Sequence, residues 1–281
     1  MKAGKMILRT LAGLILAGCV GIAAGTWLFP EENDLILNAE WFRVSVTGIG
    51  AGLSLVVILA FANGWIIAAE RSYPENDGAG RILNGIGFGL LPGISVWKAF
   101  ETGTRAGAGS PVPEGVPAAP WLTAEGAFLP GRIEMAAALV LFAAVILWLM
   151  IRRSGLPENG DLLDVCAVVW AACRLVTEGF RTGGLLPGEI RIAGWLALAV
   201  MAAALAGWSL RDHRQEKNTR YVIACVIVFL GSATAVVLIQ NNLILERNAP
   251  AGLVIRVLCA ALAMKAVLCM GRISRKQGNA E

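Results

Sequence analysis

The sequence predicts an all-α, polytopic membrane helix bundle, and three observations carry that expectation. Of the 281 residues, 57% are hydrophobic and only 16% charged, with a mean hydropathy of +0.66. That is far more apolar than a soluble domain of this length. The apolar residues also come in runs long enough to cross a bilayer, not in the short alternating segments of a β-barrel. Finally, the basic residues collect between the runs with a bias that orients them.

Eight runs are expected to span: residues 7–29, 45–69, 82–100, 134–151, 162–180, 191–210, 221–240 and 252–270. The first follows MKAGKMILRT, and Leu16-Ala17-Gly18-Cys19 matches a lipobox. The apolar stretch continues past Cys19 to Phe29, so an uncleaved first span is expected, with a lipoprotein signal as the alternative. The third run is rich in glycine (GIGFGLLPG) and holds Pro92, which predicts a broken or re-entrant helix buried among its neighbours. Between the third and fourth runs, Glu101–Arg132 is long and rich in Pro and Gly, either a functional lid or a plain connector with Trp121 at the headgroups.

Loop charges set the orientation. Lys2, Lys5 and Arg9 precede the first span, and Arg152 and Arg153 follow the fourth. Arg211, Arg214, Lys217 and Arg220 follow the sixth, and Arg272, Arg275 and Lys276 follow the eighth. With eight spans all of these fall on one side, which is then cytoplasmic and holds both termini. The expected organisation is a single integral membrane domain over residues 1–281. The expected location is a bacterial plasma membrane, crossed several times.

The six cysteines lie in apolar runs without a CxxC pair and read as small hydrophobes. His213, the single histidine, sits in a basic loop, so a histidine-based metal site or triad on the spans is excluded. Neither a cofactor nor nucleic acid is expected. Arg256 and Lys265 in the last span read as residues reaching for the membrane surface, and the tryptophans as interface or packing residues.

The chemistry is expected in Trp170–Arg181, WAACRLVTEGFR. Arg174, Glu178 and Arg181 stand at i, i+4 and i+7, on one face of an apolar helix. Ionisable groups are expensive in lipid and so mark a task or a partner. Neutralisation of a helix end is the plainer alternative for this face, and surface-seeking for Arg181. Further candidates are Lys98 and Glu101 at the end of the third span, and Arg132 and Glu134 at the start of the fourth.

These segments resemble prolipoprotein diacylglyceryl transferases over roughly residues 128–210. That family carries a pattern like HPxxLYE, then YGxxRFxxExxR, then a loop like LTxGQxLS. LPGRIE stands for the first, with Glu134 in the place of its Glu. WAACRLVTEGFR stands for the second, with Trp170 for the Tyr and Arg174, Glu178 and Arg181 in the same spacing. LLPGEIRIAG stands for the third, with Glu189 for the Gln. The end of the third span, with Gly93, Trp97, Lys98 and Glu101, stands near the family's GARxxYV segment. The family's HGG segment with its His has no counterpart, and residues 1–29 and 221–270 are additional helices.

The resemblance implies transfer of a diacylglyceryl group from phosphatidylglycerol to a cysteine thiol at the outer leaflet. Arg174, Glu178, Glu134 and Glu101 are the catalytic candidates; Arg181, Lys98, Arg132 and Trp170 would bind substrate. The partners implied are phosphatidylglycerol or another anionic phospholipid, and a prolipoprotein signal peptide. Whether the chain is an enzyme stays open at this point. Two alternatives stand beside transfer: a non-catalytic, phospholipid-binding relative, and a small transporter using Arg174–Glu178 as a coupling pair.

Overall fold

The structure, a computed structural model, describes residues 2–28, 35–39, 42–72, 78–101, 109, 127–151, 160–180, 192–213, 219–240 and 250–278. Each of the eight apolar runs is helical over nearly all of its described residues. The elements are α1 (Lys2–Leu28), β1 (Leu35–Ala39), β2 (Phe42–Ser45), α2 (Val46–Ser72), α3 (Gly78–Glu101) and α4 (Pro130–Ile151). After these come α5 (Asp161–Thr177), a 3-10 turn (Glu178–Phe180), α6 (Ile192–His213), α7 (Thr219–Gln240) and α8 (Pro250–Gly278). By length and composition, three stretches among the described residues can cross a bilayer: Val46–Ala69, Pro130–Ile151 and Ala251–Leu268. Shorter apolar helical stretches cover Thr10–Thr26, Gly194–Ala206 and Ile223–Ile239. The antiparallel β1–β2 hairpin was not expected; it pairs Leu35 with Ser45 and Ala39 with Phe42.

The chain divides into two compact units: residues 1–108 with 129–166, and residues 109–128 with 167–281. The first unit is built on glycine. On α3, Gly85, Gly89 and Gly93 stand four apart and so form one stripe. A Cβ on Gly85 would lie 2.9 Å from the Ala62 carbonyl oxygen, and one on Gly89 2.5 Å from that of Ile58. One on Gly93 would lie 3.0 Å from the carbonyl oxygen of Ser54. The partner residues descend α2 as the stripe ascends α3, so the two helices run antiparallel with their backbones almost touching. α1 meets α2 the same way: a Cβ on Gly21 would stand 2.7 Å from the Gly52 Cα.

Contrary to the broken helix expected there, α3 runs unbroken through Pro92. Proline removes one N–H and crowds the preceding turn, but here the residues on either side are buried against neighbours that hold the helix together. One turn later Ser95 Oγ donates to the Leu91 carbonyl at 3.0 Å. Helix ends in this unit are closed by side chains. Ser45 Oγ caps α2 by accepting from Gly48 N–H at 2.9 Å, while Ser45 N–H donates to Thr26 Oγ1 at 3.2 Å. Buried Asn84 of α3 accepts the Leu162 N–H in the first turn of α5 at 2.9 Å.

The second unit is held by side chains. Its core gathers Val168, Ala171 and Leu175 of α5 with Met201 of α6, Phe229 and Val236 of α7, and Val267 of α8. Five cysteines are described and all are free: Cys166 and Cys225 are buried, Cys173 and Cys259 half-buried, and Cys19 is exposed on α1.

Candidate functional site

Among the described residues, the buried ionic side chains are Lys98, Glu101, Glu134 and, at the start of α5, Asp161 in the first unit, and Glu178 and Arg256 in the second. In the first unit α3 ends on Lys98 and Glu101, one turn apart, and Lys98 Nζ is bonded to Glu101 Oε2. α4 opens with Pro130, which lacks the N–H that a first helical position leaves unused. The Arg132 N–H reaches back to the Leu129 carbonyl at 3.0 Å. This start presents Glu134 to α3, where its Oε2 lies 3.0 Å from Lys98 Nζ. The ammonium also stands 4.7 Å from the centroid of the Trp97 ring. Glu134 is 0% exposed and Lys98 and Glu101 are nearly so. One lysine thus joins carboxylates from two helices. In a low dielectric, losing one member of such a group leaves a buried charge uncompensated.

Arg132 does not share this setting. It is exposed on α4. Two residues are about 200° apart around a helix, so Arg132 and Glu134 point in nearly opposite directions.

In the second unit α5 tightens into a 3-10 turn at Glu178. Thr177 Oγ1 donates to the Arg174 carbonyl at 3.3 Å, engaging an acceptor at the helix end. Arg174 Nη2 lies 2.9 Å from Glu178 Oε2, the i, i+4 pair expected from the sequence. The side chains are 13% and 2% exposed, respectively, so this is not a solvated surface pair. Trp170, one turn before Arg174, is half-buried. Arg181 and Glu189 lie outside the described residues.

Arg256 was also misjudged from the sequence. It does not reach for a membrane surface: it is 1% exposed, among the most deeply buried side chains of the chain. Its Cζ lies 5.7 Å from the Phe180 ring centroid, and that ring packs, tilted by 49°, against Phe128 with centroids 4.7 Å apart. Phe180 closes the turn that Glu178 opens. Arg256 therefore lies beside the residue that closes the turn after α5. An isolated arginine in the second turn of an apolar helix was the available signal; its spacing could not say which face is covered. Lys265, further along α8, is exposed.

Chemically, the α5 end holds the guanidinium of Arg174, a planar fork that suits carboxylate or phosphate oxygens. The α3–α4 end holds an ammonium already engaged by two carboxylates.

Comparison with protein-family models, with curated proteins and with solved structures finds no match for this chain.

Proposed function

We propose that this protein binds the headgroup of an anionic phospholipid at the α5 end and acts as a prolipoprotein diacylglyceryl transferase-like membrane protein. In this reading it is an eight-span protein of a bacterial plasma membrane with both termini cytoplasmic. The observation that carries the reading is the buried Arg174–Glu178 pair. It stands at the two positions where WAACRLVTEGFR resembles the family's arginine and glutamate. Arg174 and Arg181 hold the phosphate of phosphatidylglycerol, and Glu178 fixes the fork of Arg174 so that it need not reorganise on binding. Trp170 packs beside the glycerol. The thiol sulfur of the acceptor cysteine bonds to the terminal glycerol carbon of the diacylglyceryl group. The carbon–oxygen bond to phosphate breaks, and glycerol phosphate leaves with its charge stabilised by the arginines. The thiol proton needs a carboxylate to accept it.

The second reading, a phospholipid-binding relative without transferase activity, is favoured by one observation. The only histidine is His213, so the family's histidine motif has no counterpart. Complementation separates the two. In a bacterium depleted of its own diacylglyceryl transferase, the expressed chain restores growth and lipoprotein modification under the first reading. Under the second it leaves both absent while phosphatidylglycerol still co-purifies with the protein. Detergent-extracted protein that carries no phosphatidylglycerol overturns both.

A further inference from the structure

We draw no further inference here: the strongest candidate, the buried side-chain cluster of Lys98, Glu101 and Glu134 where the end of α3 meets the start of α4, already has its charges engaged with one another, and nothing in the structure shows a ligand that would displace them.

Discussion

The two units hold their buried charges in opposite ways. In the first, Lys98 binds Glu101 on its own helix and Glu134 on the next, so the ions clasp α3 to α4. In the second, Arg174 and Glu178 sit on one helix and its closing turn, so their bond shapes that end locally. The Gly85–Gly89–Gly93 stripe of α3 brings backbones together, while Gly231 of α7 has no atom within 4 Å of where its Cβ would stand. The lesson is that burial alone does not identify a ligand site. An ion shared between helices is committed to the fold, whereas an ion pair within one helix leaves its cation better able to exchange partners.

Substitutions can break that contrast, and the largest effect is expected at Lys98. Lys98→Met leaves Glu101 and Glu134 buried against each other, at a cost of about 3–5 kcal/mol. Thermal unfolding in detergent should show the loss, and a midpoint within a few degrees of the parent would remove the idea of a clasp. Next comes the glycine stripe. Gly89→Leu forces α2 and α3 apart and should cost about 1–3 kcal/mol by overpacking, read by the same unfolding measurement. Arg174→Ala tests the other side of the comparison. It should lower bound phosphatidylglycerol about tenfold while shifting the unfolding midpoint less than Lys98→Met does. The reverse order of those shifts would make Arg174 the structural ion. The smallest change is Gly231→Ala, which meets open space and exchanges glycine for a better helix former. It should leave stability unchanged or raise it by up to about 1 kcal/mol, and a clear loss would show that α7 needs close backbone approach after all.

Much of the helical frame was legible in the sequence because it depends on local runs of apolar residues. Arg174–Glu178 was legible for the same reason: i, i+4 is a contact the helix itself makes. Lys98–Glu101 is equally local, but Lys98–Glu134 joins residues 36 positions apart in the numbering of the chain and depends on how α3 meets α4. Arg132 looked like part of that group because it is close to Glu134 in sequence, yet helical rotation turns it away. Arg256 failed for the converse reason. Hydropathy counts a charge in a helix without telling which side of the helix is covered. The β1–β2 hairpin went unseen because EENDLILNAE read only as a polar loop between spans. The residues of the long 101–132 segment that bear on a lid lie outside those described, apart from its ends and Gly109.

The seam between α1 and α2 has a consequence for biogenesis. Gly21 faces Gly52 nearly backbone to backbone, and the return of the chain is fastened where Thr26 and the capping Ser45 meet. Two such helices satisfy each other before any later segment has left the ribosome. They can therefore associate as one hairpin, with the short β-ribbon at its tip.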